Sequence, residues 1–160
     1  MAMDMFIKIK DIKGESKDKT HKDEIDVLAW SWGMSNSGDM HTGGGGGAGK
    51  VNVQDVSFTK YQDASTCALM EACCKGTHIG EALLTVRKAG DKPLEYLKIK
   101  LTNLIVTAVS TGGSGGEDKL TENVTLNFEK FNVDFLTQDE KGAKKDPFKV
   151  GWDISANDAA

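Results

Sequence analysis

The chain has 160 residues, 39% of them hydrophobic, which suits one domain over 1–160 built around a single core. Its 24 acidic and 20 basic side chains give a formal charge of −4, and lysines interleave with carboxylates, as in Lys17-Asp18-Lys19 and Lys22-Asp23-Glu24, so nucleic acid is not an expected partner. No stretch approaches the roughly 20 apolar residues that span a bilayer, which argues against membrane insertion.

Taken in chain order, the dominant signal is period-two alternation. Met1 to Lys10 is interrupted by charge before an apolar run of signal-peptide length forms, so no Sec-type export is predicted, and Ile7 and Ile9 alternate with Lys8 and Lys10 as in a strand. Ile25 and Val27 alternate with Glu24 and Asp26, and the segment runs on through Leu28, Trp30 and Trp32. A glycine tract, Gly43 to Gly49, leads into Val51 to Lys60, a further strand. From Asp63 to Gly76 the period changes: Asp63 or Ser65 is placed to cap a helix, Leu69 with Cys73 and Met70 with Cys74 share faces, and Gly76 suits the left-handed C-terminal position. Strands are then predicted over Ala82 to Lys88, Leu97 to Leu101, Leu104 to Val109, Val124 to Phe128, Phe131 to Leu136 and Phe148 to Ile154. Turn-rich segments such as Ala89 to Pro93 and the second glycine tract, Gly112 to Gly116, join them, and Lys141 to Lys145 reads as a solvated loop. The pattern is that of an antiparallel sandwich or barrel with one short helix.

The motifs with chemical meaning are weak. Gly44 to Lys50 reads G-x-x-x-x-G-K, but Val51 stands where a magnesium-binding Ser or Thr belongs, and a strand pattern follows where a helix N-terminus must cradle the phosphate. Gly44, Gly46 and Gly49 also fit G-x-G-x-x-G, and the same missing helix removes a dinucleotide site. Cys67, Cys73 and Cys74 are an odd number in one segment, a poor disulfide framework that suits a reducing cytosol, and they read as small packing residues. No C-x-x-C or H-E-x-x-H spacing points to zinc, and no cofactor is implied. A cysteine enzyme using His21, His41 or His78 has no spacing to support it, and a monomeric cytosolic β-barrel that binds a small ligand is the other alternative.

Two segments change their apolar parity midway. Ile25 and Val27 give way to Leu28, Trp30 and Trp32, and Val124, Leu126 and Phe128 give way to Phe131, Val133 and Phe135. A bulge near Glu129-Lys130, a strand crossing between sheets, or a second face covered by a neighbouring subunit would each produce this.

Asp4 to Ile9, Gly14-Glu15-Ser16, His21 to Val27 and Trp30-Ser31-Trp32-Gly33 resemble the opening of the haemolysin-coregulated protein family, Hcp, the tube subunit of bacterial type VI secretion. Ser57 to Tyr61, Gly76 to Ile79, Leu84 to Gly90, Glu95-Tyr96-Leu97, Ser110 to Val124 and Gly151 to Ile154 follow in the family's order, so the resemblance covers nearly the whole chain. It implies a compact two-sheet antiparallel β-barrel with one flanking helix, similar to phage tail-tube proteins. It further implies a homohexameric ring, rings stacked into a hollow tube inside a contractile sheath, a spike partner, and effector proteins carried in the lumen. Export from the cytoplasm through the apparatus itself, without a signal peptide, fits the charged N-terminus. The family's extended loop falls on Met34 to Lys50, with Met40, His41, Thr42, Gly43, Gly44, Gly45, Gly46 and Gly47 as ring-stacking residues. Ala29 and Ser31, small and hydroxylic, are expected to face the lumen, while Trp30 and Trp32 pack into protein or an interface. A structural role without catalytic residues is what the resemblance implies.

Overall fold

The computed structural model describes residues 3–38, 40–41, 47, 49–90, 93–138 and 146–160. Alternation in the sequence becomes eleven strands: β1 (Met3–Ile9), β2 (Ile25–Asp26), β3 (Ala29–Ser31), β4 (Met34–Ser35), β5 (Asn52–Val53), β6 (Val56–Tyr61), β7 (Ile79–Lys88), β8 (Glu95–Thr111), β9 (Thr121–Phe135), β10 (Phe148–Asp153) and β11 (Asp158–Ala159), with helix α1 (Thr66–Lys75) between β6 and β7. All pairings are antiparallel. The main sheet runs β11-β10-β9-β8-β7-β1-β2, and a branch at β9 carries β6 and β3. The fold is therefore mainly β, as expected. Its strand ladders form a branched path and do not close into a barrel, because β2 and β3 are only two and three residues long and the step between them is made by single bonds.

That step explains the first parity change. Val27 N–H donates to the Met5 carbonyl on one side, and Leu28 N–H donates to the Thr59 carbonyl on the other. The segment thus leaves β1 and joins β6, and its buried residues pass from Ile25 and Val27 to the half-buried Trp30 and Trp32. An intramolecular crossing accounts for it.

The second change has a related origin. What reads as four strands is one long hairpin, in which β8 pairs with β9 from Leu97–Phe135 to Thr111–Glu122. On its other edge β9 pairs with β6 over Thr121 to Leu126 and with β10 over Lys130 to Phe135. No bulge lies at Glu129-Lys130. Instead Asn103, opposite in β8, takes a left-handed conformation with φ of 53°, and the ladder's register shift lies between Val106 and Ala108. Buried residues flip on both strands at this level, from Leu101 to Leu104 and from Phe128 to Phe131.

Helix α1 packs against β8 through Leu69 and Ala72. It ends as predicted, with Gly76 left-handed (φ 61°) and its N–H directed at the Ala72 and Cys73 carbonyls. Of the two residues expected at its start, Ser65 is the N-cap residue but makes no side-chain cap, its backbone being already helical (φ −83°, ψ −15°), while Asp63 Oδ1 accepts the Ser65 N–H at 2.8 Å and its hydroxyl at 2.5 Å. The reading of the cysteines as packing residues holds only for Cys73, which packs against the core. Cys67 and Cys74, seven apart and so on one face, are exposed. The core itself gathers Ile7, Ile9, Ile25, Phe58, Leu84, Ile99, Leu101, Leu126 and Phe131 between the sheet's two halves. A buried ion pair, Lys60 with Glu122 directly across β6 and β9, lies within it, and Lys60 Nζ also donates to Asp63 Oδ1 at 3.0 Å.

Candidate functional site

Cross-strand partners share a face, so the registers define what surrounds Ala29 and Ser31. Ala29 aligns with Thr59, Asn123 and Ser110; Ser31 aligns with Ser57, Thr125 and Ala108. Ala29, Ser31, Ala108, Ser110 and Asn123 are exposed, and the other three are half-buried. Thr59 Oγ1 donates to Asn123 Oδ1 at 2.6 Å, and the Ser57 and Thr125 hydroxyls lie 3.2 Å apart. At the next level Asn127 Nδ2 and Thr107 Oγ1 donate to the Asp55 carboxylate at 2.8 and 3.3 Å. In a chain that is 28% charged, eight aligned residues on four strands carry no charge. Their side chains are short, and the pairs Thr59–Asn123 and Ser57–Thr125 tie neighbouring strands together, giving a wettable, uncharged surface. The sequence held a signal for it: in β6 and the first half of β9 the polar half of the alternation is Ser, Thr and Asn, where β1 and β8 have Lys.

Trp30 and Trp32 lie on the opposite face, half-buried and packed against the core. The Trp32 ring meets Phe131 and Phe128 edge-on, with centroids 4.8 and 6.2 Å away, and its Nε1–H donates to the Gln54 carbonyl at 2.9 Å.

From this sheet the chain leaves at Gly33 and returns at Gln54, and the described residues between them pair at the base of an arm. Gln54 N–H donates to the Gly33 carbonyl, Met34 and Ser35 pair with Val53 and Asn52, and Gly49 N–H donates to the Ser37 carbonyl at 3.1 Å. The expected loop is thus a two-stranded ribbon at its base. Of the residues expected to stack rings, Met40 is 76% exposed, and His41 and Gly47 are exposed. The other five, Thr42, Gly43, Gly44, Gly45 and Gly46, lie outside the described residues, as does the expected solvated loop from Lys141 to Lys145.

A third surface includes Val133 and Phe135, for which a covered second face was one of the expected explanations, and extends beyond them. Phe148, Phe135 and Leu97 align across β10, β9 and β8, as do Val150, Val133 and Ile99, on the side of the sheet that faces the core. Along the second row exposure rises from 2% at Ile99 to 57% at Val150, and Phe148 reaches 67%. The core face therefore continues past the edge of its cover. Only the alternation of Phe148 and Val150 around Lys149 hinted at this extension.

The titratable groups are occupied elsewhere. His21 lies between Glu24 and Glu95, His78 and His41 are exposed, and among the described residues no three His, Cys, Asp or Glu side chains are grouped as metal ligands. Arg87 donates to Asp18 at 2.7 and 3.0 Å and to Asp4 at 3.0 Å; these bonds hold the Asp18 carboxyl well below the usual carboxylate range and push Arg87 up. Burial raises the Asp26 carboxyl, opposed by a hydrogen bond from Ser16.

Comparison with known proteins agrees with this architecture. Residues 6–135 match the family described as "Type VI secretion system effector, Hcp". Protein hcp1 of Pseudomonas aeruginosa is 66% identical over 159 residues, covering 98% of each chain. The crystal structure of Hcp1 from Salmonella typhimurium covers 100% of both chains at 36% identity with a TM-score of 0.80. A solved type six secretion system protein, 28% identical, covers 99% of this chain and 100% of its own with a TM-score of 0.92. The chain belongs to the Hcp family and is a tube protein of the type VI secretion system.

Proposed function

We propose that the chain closes into a homohexameric ring, that rings stack through the 33–54 arm into a hollow tube inside a contractile sheath, and that effector proteins ride in the lumen. Membership of the family implies ring assembly and apparatus partners. The observation that carries the reading is the uncovered core face at Phe135, Phe148 and Val150. Apolar area of that kind at a sheet edge is a hazard for a free monomer, and burying it is worth on the order of 25 cal/mol per Å². A closed ring requires one subunit's surface to meet a different surface on the next, and this face is suited to be one of the two. The neutral face around Ala29 and Ser31 then supplies a lumen wall that holds cargo weakly. The chain is exported from the cytoplasm by contraction of the sheath and acts structurally rather than as an enzyme.

Electron micrographs of the purified chain test this. Rings with an open centre are expected, lengthening into tubes at high concentration; solid particles of monomer size would overturn the reading.

A further inference from the structure

The loop between β1 and β2 folds back over the outer side of β1. Gly14 N–H donates to the Asp23 carbonyl at 2.8 Å and Ser16 N–H to the Glu24 carbonyl at 3.0 Å, and Gly14 is required because a Cβ there would lie 2.5 Å from the Glu24 carbonyl oxygen. This turn delivers His21 onto Phe6, with ring centroids 4.5 Å apart and planes within 11°. His21 is 7% exposed. Its Nδ1 lies 2.7 Å from Glu24 Oε2 and its Nε2 2.5 Å from Glu95 Oε1 at the start of β8.

A neutral imidazole has one N–H and one lone pair, so it can donate to only one of two carboxylates. The other carboxylate would then face a lone pair at hydrogen-bond distance. Imidazolium donates to both, through charge-assisted bonds. The remaining charges around the ring are Asp26, paired across from Phe6 and so on the same face, Asp18, whose Oδ2 accepts the His21 backbone N–H at 3.1 Å, Asp4 and Asp18 on Arg87, Arg87 itself 5.1 Å from the Phe6 centroid, and Lys98, 3.3 Å from Glu95 Oε2.

We propose that His21, Glu24 and Glu95 form a proton-gated latch, which fastens the 13–24 loop to β8 when the imidazole carries two protons and releases the Glu95 arm when one leaves. Glu95 is the arm that opens, because it keeps Lys98 as a partner and is 25% exposed, whereas Glu24 is 12% exposed and only three residues from His21. The closed latch binds one more proton than the open one, so it is complete at the lower pH and opens as pH rises. Burial pushes the Glu95 carboxyl up, but hydrogen bonds from His21 and Lys98 outweigh this and keep it below the usual range, so the acceptor stays ionised where the latch is closed. Because the loop leads directly into β2, the latch sets the pH range in which the start of the crossing segment is pinned from both sides.

Two measurements on the intact protein test it. With ¹⁵N-labelled histidine, the His21 ring nitrogens should both carry protons at pH 6; a single protonated nitrogen there would overturn the proposal. Amide exchange over Thr20 to Glu24, corrected for intrinsic rates, should become about tenfold or more faster between pH 6 and pH 9, the loss of one charge-assisted bond. In Glu95→Gln the amide can donate to a neutral ring or accept from a protonated one, so protection should not change across that range. Flat protection in the wild type, or an equal loss in Glu95→Gln, would refute the latch.

Discussion

Asn103 donates its side-chain amide to Glu129 Oε2 at 2.6 Å, at the level where both strands of the β8–β9 hairpin exchange their buried and exposed sides. The left-handed backbone at Asn103 makes the exchange on one strand, and Glu129 anchors it from the other. Half the hairpin can thereby serve the sheet branch with β6 and the other half the branch with β10.

Asn103→Ala should therefore cost about 1–2 kcal/mol, combining the left-handed penalty for a Cβ with the lost bond. Asn103→Gly keeps the backbone and should cost less, under about 1 kcal/mol. Chemical denaturation decides: equal losses for Ala and Gly would mean that the backbone conformation is not what the site requires.

Lys60 and Glu122 make a second long-range pair, fully buried, with Thr66 Oγ1 also donating to Glu122 Oε1 at 2.9 Å. Glu122 Oε2 is buried without a hydrogen-bond partner among the described residues. Removing one charge strands the other, so Lys60→Met should destabilise by about 3–5 kcal/mol. The double variant Lys60→Met, Glu122→Leu should recover much of that loss, giving a coupling of about 2 kcal/mol or more in a double-mutant cycle. Additive losses would show that the pair acts as two independent packing residues.

Much of this architecture was legible in the sequence, for reasons tied to particular residues. Strict alternation at Val124, Leu126 and Phe128 marks a one-sided strand, and Gly76 after an i, i+4 face marks a helix end. What escaped was the partner. Glu95 is 74 residues from His21 and Glu122 is 62 from Lys60, and no local pattern links them. The parity changes were visible, but whether an edge switch, a bulge or a subunit caused them depends on which strand lies alongside. For the candidate site, Ser31 and the tryptophans were singled out from side-chain size and polarity beside the family resemblance, whereas the neutral face needed the registers of β6, β8 and β9.

If that neutral face lines a lumen, Ser31→Gln should leave assembly and export of the tube intact and reduce co-purification of small effectors, since a longer amide intrudes on a weakly binding wall. Trp30→Ala should instead lower folding stability or ring closure by about 3 kcal/mol, less if neighbours collapse into the space. Unchanged effector levels in the Ser31 variant, together with normal thermal stability in the Trp30 variant, would reverse the facing assigned to β3.

The arm makes a separable prediction. Deleting Gly43 to Gly47 shortens the chain between Ser37 and Gly49, which are bonded to each other, without touching the main sheet. The ring should stay hexameric, lighter only by the deleted glycines, while tube formation in electron micrographs is lost. Loss of the ring itself would place the arm in the ring interface.

The most direct test of the central claim is the mass of the assembled protein by size-exclusion chromatography with light scattering, for the wild type and for Phe148→Asp with Val150→Asp. The account predicts six times the 17.2 kDa chain mass for the wild type and a fall to the monomer for the variant, because two carboxylates replace the apolar face that the proposed ring would cover. A wild-type chain that runs as a monomer at every concentration, with Phe148 and Val150 left in water, would contradict it.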